Sequence, residues 1–236
     1  MTLRALIFDV DGTLADTERD GHRPAFNAAF AEAGLSWAWD ETVYGELLKV
    51  TGGKERIRHY AECLDPACAA RPDFEALVHQ LHRSKTRHYL ELVEAGGIPL
   101  RPGVARLIRE VRAAGLRLAI ATTTTRENVT ALLDASLAPG AGSWFEVIAA
   151  GDIVPAKKPA PDVYRYVLKH MDLSAGACLA LEDSQHGLAA AAAAGIATVV
   201  TVTDYSRGQD FRGARAVLAD LGEADLAQLR GWHRST

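Results

Sequence analysis

The 236-residue chain has only three cysteines, Cys63, Cys68 and Cys178, which suit a reducing compartment better than a disulfide framework. His59, Cys63 and Cys68 match no zinc-ligand spacing, and a partly buried helix face accounts for them. No apolar run is long enough to cross a bilayer, so no membrane partner is expected. Positive charge is not in excess either. With 26 Lys and Arg against 30 Asp and Glu, the formal net charge is −4. That balance argues against a nucleic-acid partner but not against a small anion, for which a few local cations suffice. Polar residues of catalytic type begin at position 9, leaving no room for a signal or transit peptide, and a cytoplasmic protein is expected. There are no internal repeats, and the single low-complexity stretch, Ala189–Ala194, is good helix sequence.

What is present is an ordinary globular composition, 48% hydrophobic and 24% charged, long enough for one large domain or two unequal ones. Beyond about residue 100, apolar runs alternate with helix-like segments. Leu116–Ala121, Phe145–Ala149, Ala177–Leu181 and Ala197–Val202 read as strands, with Arg215–Ala219 a further candidate. Arg126–Leu137, Pro161–Met171 and His186–Ala194 read as helices, the last ending at Gly195. With Leu3–Phe8 as the first strand, this alternation predicts an α/β class, a Rossmann-like parallel sheet covered on both faces. Residues 17–97 break the rhythm. They show helical apolar spacing, as at Phe26, Phe30 and Ala33, with Trp37 and Trp39 as packing residues. The expected organisation is an α/β core from 1–16 and 98–236, with an α-helical domain, 17–97, inserted.

In such a sheet, ligands gather outside the carboxyl ends of the strands, and here each strand ends in a polar cluster. Asp9 and Asp11 follow the first strand, two residues apart and so on one face, and Gly12 allows a sharp turn after them. Such a pair can divide phosphate chemistry between a nucleophile and a general acid/base, or be a polar turn. Thr122-Thr123-Thr124-Thr125 follows the second strand; its hydroxyls and N–H groups can hold phosphate oxygens, and Thr124 or Thr125 can cap the next helix. Lys157-Lys158-Pro159-Ala160-Pro161-Asp162 follows the third, offering a cation on a stiffened loop. Glu182-Asp183 follows the fourth, where carboxylates beside an apolar run are costly unless they bind a cation.

These clusters, in this order, resemble the four motifs of the haloacid dehalogenase superfamily: Asp9-Val10-Asp11-Gly12-Thr13, Thr122, Lys158 and Glu182-Asp183. The resemblance covers essentially the whole chain, and the helical insertion looks like the cap of its phosphoglucomutase-like branch. It implies a phosphoric monoester hydrolase with Mg²⁺ held by the Asp9 carboxylate, the Asp11 carbonyl and Asp183, Glu182 completing the acidic group. It implies that Asp9 is the nucleophile and Asp11 the acid/base, and that Thr122 and Lys158 hold the transferring phosphoryl group. Lys158 rather than Lys157 fits the motif, because it directly precedes Pro159-Ala160-Pro161-Asp162.

Four further stretches stand out: Asp16–Arg23, Tyr44–Lys49, Thr51–Ile57 and Arg101-Pro102-Gly103. With Glu18, His22, Tyr44, Gly52, Gly53, Lys54 and Arg56, and with Thr123 and Asn128, the chain closely resembles the CbbY-type phosphatases. That implies a small-molecule sugar bisphosphate as substrate, namely xylulose 1,5-bisphosphate, an inhibitor of Rubisco, converted to xylulose 5-phosphate. Lys54 and Arg56 would anchor the distal phosphate, and Glu18 and His22 would address sugar hydroxyls. The Asp20-Gly21 insertion departs from the β-phosphoglucomutases and resembles the longer form in plant-like CbbY sequences. The alternatives are a β-phosphoglucomutase and a phosphatase for phosphoglycolate or another sugar phosphate. A monomer is expected, bacterial and cytoplasmic, or stromal in plastids if a leader has been removed.

Overall fold

The computed structural model describes residues 2–234. β1 (Ala5–Phe8), β2 (Arg117–Ala121), β3 (Val147–Ala149), β4 (Cys178–Glu182), β5 (Ala197–Thr201) and β6 (Ala216–Leu218) form one sheet in the order β3-β2-β1-β4-β5-β6. All pairings are parallel. β3 is shorter than the apolar run Phe145–Ala149: the Phe145 N–H closes a tight turn onto Gly142, and the strand begins only at Val147.

The chain divides into two units, Met1–Asp16 with Pro99–Thr236, and Thr17–Ile98. In the first, the strands alternate small and large residues. Ala5, Ile7, Ala119, Ala121, Ala149 and Ala180 lie on one face with Val163, Tyr164, Val167, Ala190 and Ala191. Those last five belong to α8 (Asp162–Met171) and α9 (Gln185–Ala193). The alanines let these helices approach closely. α6 (Val104–Ala113), α7 (Arg126–Ser136) and α10 (Leu226–Arg234) complete the unit. Right-handed crossovers put α6 and α7, where the chain moves outward from β1, on the face opposite α8 and α9.

The second unit holds a π-helical turn, Glu18–His22, and five helices: α1 (Arg23–Glu32), α2 (Glu41–Leu47), α3 (Gly53–Leu64), α4 (Pro66–Ala69) and α5 (Phe74–Glu94). Trp39 is fully buried, its ring 4.7 Å from Phe26, 4.8 Å from Phe30 and 5.4 Å from Tyr60, centroid to centroid. Asn27 holds its backbone from both sides, accepting from the Trp39 N–H (2.7 Å) and donating to its carbonyl (2.9 Å). Both tryptophans are buried and pack this unit, as expected. Cys68 is buried and Cys63 exposed, and among the described residues the three-residue group with metal-ligand geometry lies elsewhere.

Candidate active site

Sheet register builds the site. Phe8 pairs with Ile120 on one side and Leu181 on the other, so Asp9 leaves β1 level with Ala121 and Glu182. Strand order reverses between β1 and β4, where an open parallel sheet leaves its crevice. Asp9, Thr122, Lys158 and Glu182 are all buried there; Asp11 and Asp183 are half-exposed.

Lys158 is the hub. Its ammonium donates to Asp9 Oδ1 (2.7 Å), Glu182 Oε1 (2.6 Å) and the Ala121 carbonyl (2.9 Å). Lys157 turns away to Asp152 (3.2 Å). Glu182 also accepts from the Tyr164 hydroxyl through Oε1, while its buried Oε2 has no protein partner. Oε2 instead faces Gly187 in α9, where a Cβ would lie 1.8 Å away. Gly12, at φ +83°, gives Asp183 the same kind of room: a Cβ there would sit 2.2 Å from Oδ2. Tyr164 and Gly187 are site residues that motif reading passes over. Their signals are a lone hydroxyl on the buried stripe of α8 and a lone glycine in the Ala-rich α9.

Burial raises the Asp9 carboxyl to about 8; Lys158 opposes this, and Glu182 and Asp11 add to it. Burial works against the Lys158 ammonium, but Asp9 and Glu182 outweigh it and hold the group above its ordinary range. Burial, then Glu182, pushes the Tyr164 phenol well up. Several carboxylates thus surround one ammonium, leaving uncompensated negative charge in a buried place. Asp9, Glu182 and Asp183 each offer an oxygen, all within 4.8 Å of one another. An oxygen-only donor set with excess negative charge fits a hard divalent cation.

Of the other candidate residues, Thr122 Oγ1 accepts from the Thr124 N–H (3.3 Å), and Thr125 Oγ1 caps α7 through the Asn128 N–H (3.4 Å). Asn128 is buried behind this turn, its amide donating to Thr124 Oγ1 (3.0 Å), and Thr123 is half-buried beside it. In the helical unit, Arg56 is buried and donates to Glu18 Oε1 (3.1 Å), the Tyr44 hydroxyl (3.1 Å) and the Val50 carbonyl (3.0 Å). Tyr44 itself donates to Glu18. Glu18, Tyr44 and Arg56 are therefore one network, with Arg56 held inward. His22 is buried, its Nδ1 2.8 Å from the Lys85 ammonium and its ring tilted against that of Tyr89, 4.4 Å between centroids. Gly52 and Gly53 open α3, and Lys54 stands in its first turn, half-buried.

Comparison with known proteins agrees with this geometry. The family model of the haloacid dehalogenase-like hydrolases matches residues 3–195. The plasmid-encoded CbbY protein of Cupriavidus necator is 53% identical over 250 aligned residues, covering 99% of this chain and 98% of that one. The crystal structure of CbbY from Rhodobacter sphaeroides with phosphate superposes at a TM-score of 0.88. It is 46% identical and covers 96% of this chain and 99% of that one. An Asp-to-Asn mutant of the same protein, crystallised with xylulose 1,5-bisphosphate, matches equally well.

Proposed function

The chain belongs to the haloacid dehalogenase-like hydrolases and is a sugar-phosphate phosphatase, and we propose that it removes the 1-phosphate of xylulose 1,5-bisphosphate, leaving xylulose 5-phosphate. The observation that carries this reading is the Rhodobacter sphaeroides structure holding that bisphosphate, at 46% identity across 96% of this chain. The compound inhibits Rubisco, which would place the enzyme beside the Calvin cycle.

In this reading Asp9 is the nucleophile. Its carboxylate attacks phosphorus in line and forms an aspartyl-phosphate as the leaving oxygen departs. Asp11 gives that oxygen its proton, then takes one from the water that opens the acyl phosphate. Lys158, fixed by Glu182 and Ala121, and the Thr122 turn stabilise charge on the transferring oxygens. Asp9, Asp183 and the Asp11 carbonyl would hold Mg²⁺, with Glu182 fourth in the acidic group and engaged through Oε1 with Lys158. When bound, the ion neutralises phosphate charge and keeps Asp9 ionised against the burial that otherwise protonates it. In the helical unit, the start of α3 with Lys54 and the Glu18–Tyr44–Arg56 network would take the distal phosphate and sugar hydroxyls, with His22 beside them.

The test is Mg²⁺-dependent phosphate release from xylulose 1,5-bisphosphate, ribulose 1,5-bisphosphate, phosphoglycolate and β-glucose 1-phosphate. The first should be strongly preferred and the second spared, and Asp9→Asn should abolish turnover without unfolding the protein. Indiscriminate release would overturn the substrate reading, and an active Asp9→Asn the nucleophile. Glucose 6-phosphate formed from β-glucose 1-phosphate would make the protein a mutase.

A further inference from the structure

The segment Arg101-Pro102-Gly103 has no part in the chemistry above, yet its arginine reaches the catalytic loop. Leu100 bridges Ala15, and the Arg101 N–H donates to the Leu14 carbonyl (2.8 Å), so this strand of chain runs against the one that leaves the Asp9–Asp11 loop. Among the described residues the Arg101 guanidinium forms no ion pair. It donates to the Gly12 carbonyl, to the carbonyl (3.1 Å) and hydroxyl (3.2 Å) of Thr201, and to the carbonyls of Val202 (2.6 Å) and Ala219 (2.6 Å). Thr201 ends β5, and Ala219 directly follows β6. One planar cation thus ties the residue after Asp11 to strands two and three places away in the sheet. A guanidinium suits this task because its donors are fixed in one plane and spread toward several acceptors.

Gly12 is held from three sides. Its N–H donates to the Ala15 carbonyl (2.8 Å), its Cα lies against Asp183 with no room for a side chain, and its carbonyl belongs to Arg101. With Gly12 fixed, the orientation of the preceding peptide, and with it the Asp11 side chain and carbonyl, is fixed too. We propose that Arg101 is a positioning residue for phosphoryl transfer, holding the Asp9–Asp11 loop to the carboxyl ends of β5 and β6. The proposal rests on the catalytic reading of Asp9 and Asp11 given above.

Arg106 provides the control. It makes a similar brace, donating to the carbonyls of Leu221 (2.8 Å), Gly222 (3.2 Å) and Ala224 (2.8 Å), without touching residues 9–12. Arg101→Met, Arg101→Lys, Arg106→Met and Asp11→Asn are assayed with saturating Mg²⁺ on the best substrate of the panel, each well below its own melting temperature. Because a misplacement of about 1 Å can cost about 10²-fold in rate, Arg101→Met should lower kcat at least about tenfold. KM should stay within about threefold, the sign of an interaction that acts in the transition state. Arg101→Lys should recover less than about half of that loss, a single ammonium being unable to reach all three segments. Arg106→Met should lower the melting temperature comparably and leave kcat within about twofold. The proposal fails if Arg101→Met keeps wild-type kcat, if its defect lies in KM alone, or if Arg106→Met loses as much kcat. If Arg101→Met does not fold, Arg101→Lys decides the matter on the same kcat criterion. A fully active Asp11→Asn would overturn the catalytic reading, whereas an inactive one beside a fully active Arg101→Met would overturn only the brace.

Discussion

At the scale of single residues, Lys158 decides whether this crevice can exist. Among the described residues its ammonium is the one cation bonded to both Asp9 and Glu182, and all three side chains are nine-tenths or more buried. Removing one partner of a buried ion pair leaves an uncompensated charge and costs about 3–5 kcal/mol. Lys158→Met should destabilise the metal-free protein by about that amount at neutral pH. Glu182→Gln on top of it should restore a good part of the loss, because the amide still accepts from Tyr164 and leaves no unpaired charge where the ammonium was. Urea unfolding of both variants in chelator reads this directly. If the double variant is no more stable than Lys158→Met, the ammonium is not there to balance charge.

At the scale of elements, α9 shows how a helix can serve a strand end. Its sequence, QHGLAAAAA, would be a better helix with alanine at position 187, by about 1 kcal/mol. The glycine is there because Glu182 fills the space a methyl would take. Gly187→Ala should therefore destabilise the protein by the overpacking cost of about 1–3 kcal/mol less the helix gain of about 1 kcal/mol, and lower kcat by turning Glu182 away from Lys158. A Gly187→Ala protein as stable and as active as wild type would show that Glu182 moves aside freely. The same scale shows what is legible in the sequence. The strands are, because burial on both faces leaves near-continuous apolar runs such as Leu116–Ala121 and Ala177–Leu181. The acidic residues, threonines and lysine that follow them are legible as strand-end clusters. α6 carries the helical spacing Val104, Leu107, Ile108, Val111, but it falls between the insertion and β2, where strand-to-strand reading assigns no element. Tyr164 and Gly187 leave only faint local signals, and the acceptors of Arg101 leave none, since those acceptors are set by sheet register far along the chain.

At the scale of the whole molecule, the sheet order puts the ends of β1 and β4 side by side and so gathers carboxylates that repel one another. Folding stability is then tied to pH and to metal. The Asp9 carboxyl, ordinarily near 3.8, is raised to about 8 in the folded protein, chiefly by burial. The folded state thus holds this proton more tightly than the unfolded chain. The stability that follows is complete below the unfolded value and is lost as pH rises from about 4 through about 8. A divalent ion held by these carboxylates would take the proton's place, and it would compete best where the proton is weakly held. A ligand at about 100 times its Kd adds about 2.7 kcal/mol, which for a domain of this size is a rise of several degrees in melting temperature. In chelator the protein should therefore melt lower at pH 8 than at pH 5, and millimolar Mg²⁺ should raise the melting temperature more at pH 8. Asp183→Asn should remove most of that rise. An Mg²⁺ shift equal at the two pH values would mean that the ion does not bind in competition with the Asp9 proton, and the acidic group at the ends of β1 and β4 would lose its assignment as the metal site.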